Sequence, residues 1–163
     1  MASRSIRPAT REPFEVRLED SLTVVANWVV RHDVQLEVAR RAGCPVPASH
    51  GWLLARIATC GPCRPSDLAD FFGVDNSTIT PKLQRLEAEG LVRRHADPQD
   101  RRAVLVASTA SGSSLLAKLR RARAELLTDR MGSLPGPRRA AVATALADLA
   151  SVLAEDTRRS RDR

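Results

Sequence analysis

The sequence predicts a mainly α-helical fold with one small two-stranded β element, and three observations carry that expectation. Apolar residues recur every three or four positions over most of the chain, β-compatible stretches are confined to one short region, and Gly or Pro marks the boundaries between segments. Composition agrees: hydrophobic residues make up 43%, mostly Ala, Leu and Val, while aromatics are 3% and Tyr is absent. At 163 residues the chain is long enough for one domain with a real core and too short for two ordinary ones.

Residues 1–12 are rich in Arg, Ser and Pro without periodicity and read as a mobile basic arm. Phe14, Leu18, Leu22, Val25 and Val29 then draw one apolar stripe down a long helix expected to run to about Arg41. Gly43-Cys44-Pro45-Val46-Pro47 breaks it. Ser49 is a suitable N-cap for a second helix carrying Leu53, Leu54 and Ile57, which Gly61-Pro62 ends. Pro65 opens a short third helix, and Gly73 falls where its left-handed C-terminal residue belongs. A fourth helix follows and Gly90 closes it in the same way. Leu91-Val92 and Val104-Leu105-Val106 flank Asp97-Pro98-Gln99-Asp100, which makes a hairpin with a basic tip. A fifth helix presents Leu115, Leu119, Ala122 and Leu126 on one face; after Leu134-Pro135-Gly136-Pro137, a sixth carries Val142, Leu146, Leu149, Val152 and Leu153.

Lys and Arg total 26 against 19 Asp and Glu, a net charge of +7, and all the cations except Lys82 and Lys118 are Arg. Such a surface attracts polyanions, and Arg reads bases and phosphates bidentately, although an Arg-for-Lys coding bias accounts for part of the excess. No apolar run is long enough to span a bilayer and the start lacks the hydrophobic segment of a secretion signal, so a cytoplasmic protein with no membrane partner is expected. Three cysteines, an odd number, fit a reducing compartment.

The order helix, tight Gly turn, helix, Gly, basic hairpin carries the functional reading. Two closely crossed helices need a small residue at the crossing and a positive-φ residue in the turn; Ala69 and Gly73, four apart, supply them. Leu68, Phe72, Val74, Ile79, Leu83 and Leu86 would seal the shared core. Asn76, Ser77, Thr78, Thr80, Pro81, Lys82, Gln84 and Arg85 are then left facing out, as short polar groups and cations suited to base edges and phosphates.

From about Ser49 to Gly112 the chain resembles the multiple-antibiotic-resistance regulator (MarR) family of winged helix-turn-helix repressors, and the outer helices match that layout over nearly the whole chain. The likeness rests on "LADFFGVDNSTITPKLQRLEAEGLVRR", on "DPQDRRAVLV" at 97–106 and on "TASG" at 109–112; Asp-Pro-x-Asp-Arg-Arg between two short strands matches the family's wing. The resemblance implies a homodimer with recognition helices in successive major grooves of double-stranded DNA, wings over the flanking minor grooves, and release by a ligand or by oxidation. It divides the chain into a basic arm (1–12), an N-terminal dimerisation helix and loop (13–48), a winged helix-turn-helix region (49–112), C-terminal dimerisation helices (113–157) and a basic tail (158–163). Within the wing, Asp97 and Asp100 are expected to hold one of Arg101 and Arg102, leaving the other for a narrow minor groove, whose potential favours guanidinium.

Two departures from the family pattern stand out. Where many relatives carry "LTxxG" after the wing, this chain has Ser108-Thr109-Ala110-Ser111-Gly112, which suggests a looser base. Pro81 occupies a position where several relatives carry an Arg. If residues 75–77 cap the helix, Pro81 falls in its first turn or two and costs about 3 kcal/mol or less. It then offers a rigid apolar ring to a thymine methyl and leaves direct readout to Lys82, Arg85 and the hydroxyls. The competing placement makes Thr80 the N-cap and Pro81 the first helical residue, which would strand Ile79 outside the helix.

Apolar stripes on the first, fifth and sixth helices exceed what the small central region covers, so two-fold association and a pseudo-palindromic operator with half-sites about 10 bp apart are expected. Cys60-Gly61-Pro62-Cys63 has thioredoxin-like spacing but lies between two helices, without the preceding strand that chemistry needs. It reads either as an inter-helix turn with incidental cysteines or as a candidate sensor that forms a disulfide or binds metal. Cys44 lies about 16 Å or more away along the second helix. No Ser/His/Asp array, carboxylate pair or Gly-rich phosphate loop is present, so the sequence indicates neither an enzyme nor a cofactor. Trp28 and Trp52 are the aromatics best suited to line a pocket for a small-molecule effector, with core packing as the competing role.

Overall fold

A computed structural model describes residues 12–47, 50–98, 100 and 103–159. The basic arm as far as residue 11, Ser49, Arg101, Arg102 and residues 160–163 lie outside the described residues. The elements are α1 (Phe14–Val30), α2 (His32–Ala42), α3 (His50–Cys60), α4 (Pro65–Phe72), α5 (Asn76–Ala88), β1 (Val92–Ala96), β2 (Val104–Ser108), α6 (Ala110–Arg130) and α7 (Gly136–Arg159). The chain divides into two compact units, residues 1–122 and 123–163.

The long first helix expected from the apolar stripe is two helices. Arg31 leaves the helical region, at φ −57° and ψ 135°, and becomes the residue before α2. The β-branched Val29-Val30 pair propagates a helix poorly, and Arg31 gains a local alternative by holding Asp33 at 2.8 Å. The amide of Gln35 donates to the Val29 carbonyl, which the interruption would otherwise leave without a partner.

In the first unit the core gathers Val38, Leu53, Leu54, Ile57, Leu68, Ala69, Ile79, Leu83, Leu86 and Val106, all buried. Helices α3, α4 and α5 pack on one another, and α3 and α4 also reach β2. Gly73 and Gly90, at φ +61° and +65°, occupy the left-handed positions expected of them. Behind each, the next amide reaches back five residues, Val74 to the Ala69 carbonyl and Leu91 to that of Leu86. Ala69 is buried at the crossing as expected; Phe72 and Val74 are not, standing 36% and 39% exposed beyond the sealed core. α5 begins at Asn76 with Ile79 buried, so the placement with Thr80 as N-cap is excluded and Pro81 lies inside the helix.

β1 and β2 pair antiparallel, with Arg94 opposite Val106. The base of this hairpin is tight rather than loose. Thr109 donates its hydroxyl to the Gly90 carbonyl at 2.7 Å, its backbone N–H to Leu91 at 3.1 Å, and accepts the Gly112 N–H at 3.1 Å. One threonine thus replaces the missing apolar anchor by capping α6 and tying it to the end of α5. Cys63 adds a third backbone ribbon: its N–H and carbonyl both pair with Val106, at 3.1 and 2.9 Å.

The stripe of α6 is already buried within the chain at Leu115, Leu119, Ala122 and Leu126, contrary to the expectation that it awaits a partner. α1 has no buried residue, with Leu18 and Leu22 each 37% exposed. In the second unit α7 leaves Val142, Leu146, Val152 and Leu153 exposed. Among the described residues no helix is long and apolar enough to cross a membrane.

Candidate nucleic-acid interface

The outward face of α5 is built by its inward one. Ile79, Leu83 and Leu86 recur at helical spacing and bury against the neighbouring helices, which turns Asn76, Ser77, Thr78, Thr80, Pro81, Gln84 and Arg85 to the surface and leaves Lys82 half-buried. Asp75 precedes the helix but makes no side-chain cap, so the free N–H groups of the first turn remain directed outward with the short polar side chains. Thr80 returns its hydroxyl to the Asn76 carbonyl at 2.8 Å, one residue before the donor that Pro81 lacks. The Arg85 guanidinium reaches Glu89 at 3.0 Å along the same helix.

The positive charge of α5 is felt on α3. His50, in the first turn of α3, has its pKa held below the ordinary histidine value, first by burial and then by the charges of Lys82 and Arg85. Because the fold favours the neutral ring, the stability this residue contributes is present above its unfolded value of 6.5 and is lost as pH falls below it. The urea midpoint is therefore expected to fall between about pH 7.5 and 5.5, and a His50→Gln variant should lose part of that slope.

Ion pairs fasten the hairpin to the helix pair. Arg94 of β1 reaches Glu87 of α5 at 3.0 Å. Arg64, immediately before α4, reaches the buried carboxylate of Asp97 at 2.8 Å and Asp100 at 3.7 Å. Both wing carboxylates thus meet an arginine from 33 residues upstream of Asp97, one that the sequence reading did not single out. Asp67 accepts the Arg64 N–H at 3.2 Å and fixes the same residue at the start of α4. No local spacing signals this contact. The roles expected of Arg101 and Arg102 fall on residues outside those described.

Of the remaining candidates, Trp28 is half-buried and Trp52 is 42% exposed, so Trp52 does not pack in the core. A cavity of about 420 Å³ lies elsewhere, lined by Gly43, Pro45, Leu91, Ser111, Ser114 and Lys118 among others. Cys60 is exposed, Cys63 buried, and their sulfurs lie 2.8 Å apart. Among the described residues no group of three His, Cys, Asp or Glu side chains is arranged to hold a metal ion.

A model of the MarR family matches residues 48–104, from the approach to α3 to the start of β2. The repressor NicR of Pseudomonas putida is 37% identical over 89 residues, 55% of this chain and 56% of that protein. The chain thus spans little more than half of that curated relative, and 61% of YxaD of Bacillus subtilis. The helix-turn-helix regulator Mb0904 of Mycobacterium bovis is 32% identical over 143 residues, covering 88% of this chain and 96% of that protein. The structure of apo MarR from E. coli superposes with a TM-score of 0.66 over 86% of this chain and 98% of that one; at 21% identity it supports the winged helix-turn-helix fold alone. The central match and the near full-length relationship together establish that the chain belongs to the MarR family, a family of transcriptional regulators and not of enzymes.

Proposed function

We propose that the chain is a cytoplasmic, homodimeric repressor that binds a pseudo-palindromic operator through residues 75–89 and the wing at 91–106. The observation that carries this reading is the solvent-facing run of short polar and cationic side chains on α5, beside an arginine-rich hairpin pinned to it by Arg94–Glu87 and Arg64–Asp97. A solved relative at 21% identity, FabT of Streptococcus pneumoniae, is described in complex with DNA. In this assignment Asn76, Ser77, Thr78, Thr80, Pro81, Lys82, Gln84 and Arg85 meet the major groove, and one of Arg101 and Arg102 enters the minor groove while Asp97 and Asp100 steady the wing. The exposed apolar stripes of α1 and α7 are the surfaces that a second copy covers, which assigns 13–48 and 113–157 to dimerisation, with basic segments at 1–12 and 158–163.

Gel-shift titration against duplex from the region upstream of its own gene tests the assignment. Affinity is expected to fall steeply with salt, log K declining by about 0.9 per phosphate contacted, and footprinting should show two half-sites about 10 bp apart. Salt-independent binding or a single unpaired footprint would remove it. Sedimentation at micromolar concentration should give twice the chain mass.

Release is assigned to a small ligand, for which Trp28 and Trp52 remain the aromatic candidates, or to oxidation at Cys60 and Cys63. The second route is favoured by the approach of the two sulfurs.

A further inference from the structure

We propose that Thr80 and Pro81 read one A·T pair in each half-site from the major groove, the Pro81 ring resting on the thymine methyl and the Thr80 hydroxyl accepting from the adenine amino group; this rests on the assignment of α5 to the operator.

The burial pattern of α5 fixes which side chains stand furthest from the protein. Ile79, Leu83 and Leu86 are buried, and the line opposite them runs through Ser77, Thr80, Pro81 and Gln84, all exposed. Residues three, four and seven positions after Ser77 share one ridge with it. This ridge is the part of the helix that enters a groove deepest, and it carries no charge. Lys82 and Arg85 project from its flank, Lys82 half-buried.

At the centre of the ridge, hydrogen-bond donors are missing. The Thr80 hydroxyl directs its one hydrogen to the Asn76 carbonyl at 2.8 Å, which leaves the oxygen its lone pairs alone. Pro81 lies inside the helix without an N–H, so it cannot supply the bond that the Ser77 carbonyl would receive in a regular helix. The two residues therefore present an acceptor beside an apolar ring. Both groups are also set before binding. The pyrrolidine ring has no side-chain freedom to lose, and the bond to Asn76 holds the branched Thr80 side chain in one rotamer. Contact through them orders little that is not already ordered, unlike contact through a long Lys or Arg.

Such a surface discriminates among base-pair edges. Guanine offers N7 and O6, two acceptors that would face another acceptor at Thr80. Cytosine offers an amino donor but no methyl group. An A·T pair sets an amino donor beside a methyl on its two bases, as Thr80 and Pro81 set an acceptor beside a ring on adjacent residues. Selection thus has an attractive part, toward adenine and thymine, and a repulsive part, against guanine.

The test uses the full chain and the upstream duplex with its footprinted half-sites, substituted one base at a time. With the wild-type chain, deoxyuridine in place of thymine removes only the methyl and is expected to lower affinity about fourfold at one position in each half-site. Unsubstituted purine in place of the partner adenine removes only the amino group and should lower affinity about fivefold at the same pair. A G·C pair there should lower it about tenfold, and 5-methylcytosine in place of that cytosine should recover about fourfold. Pro81→Ala is expected to lose the response to deoxyuridine and keep the response to purine, whereas Thr80→Val should show the reverse. Specific binding in which no thymine methyl matters, or in which Pro81→Ala responds to deoxyuridine as the wild type does, overturns the A·T reading and leaves the operator assignment standing. Absence of specific binding to the unsubstituted duplex removes the operator assignment and the A·T reading with it. The base series on the wild-type chain decides without reference to any variant's folding.

Discussion

Replacing Gly112 by alanine is expected to destabilise the protein by about 3 kcal/mol and to lower its thermal midpoint by about 6–12 °C. A Cβ built at this position falls 2.1 Å from the Leu91 carbonyl oxygen and 2.8 Å from the Ser108 hydroxyl. The first of these atoms is backbone and cannot swing away. Relief requires α6 to withdraw from the hairpin base, which breaks the Gly112 N–H to Thr109 bond and weakens the bonds from Thr109 to Gly90 and Leu91. Gly136→Ala is the control, because a Cβ there meets nothing within 4 Å and the position is helical. Calorimetry on both variants checks the expectation; equal midpoints would mean that α6 does not press on the hairpin as described.

The second large effect falls on binding. Arg85→Ala should weaken operator affinity by about 1–3 kcal/mol, roughly 5- to 150-fold, with specificity relaxed at the base pairs it meets. Its ion pair with Glu89 does not prevent this. Arg85 is 55% exposed in that pair, and an exposed helical pair is worth only about 0.3–0.5 kcal/mol, less than a bidentate base contact. Glu89→Gln should accordingly leave affinity unchanged or raise it slightly. Lys82→Ala should act more evenly across sequences and reduce the salt slope by about 1. Gel shifts with matched and mismatched duplexes separate the two residues; full affinity in Arg85→Ala would remove α5 from the interface.

What the sequence reveals here follows from the range of each interaction. Ile79, Leu83 and Leu86 announce their helix because burial repeats with its own period, and Gly73 and Gly90 mark the turns because a left-handed residue favours glycine. The hairpin was legible from Asp97-Pro98 between β-compatible runs. The break at Arg31 was not, since a continuous apolar stripe overrode two β-branched residues and an Asp two positions on. The tight base of the hairpin was missed because Thr109 acts through three hydrogen bonds to Gly90, Leu91 and Gly112, where the family pattern offers an apolar side chain. Arg64 with Asp97, and Cys63 with Val106, join residues 33 and 43 positions apart, and neither pairing leaves a local trace.

The double duty of Arg64 limits how this protein can diverge. The same residue stands at the threshold of α4, through its backbone N–H, and clasps the turn of the hairpin with its side chain, so the gap between the helix pair and the ribbon is not an independent variable. On the proposed assignment, descendants that acquire operators of new sequence can exchange surface residues of α5 freely, whereas operators of new width require a compensating change at 64 and 97 together.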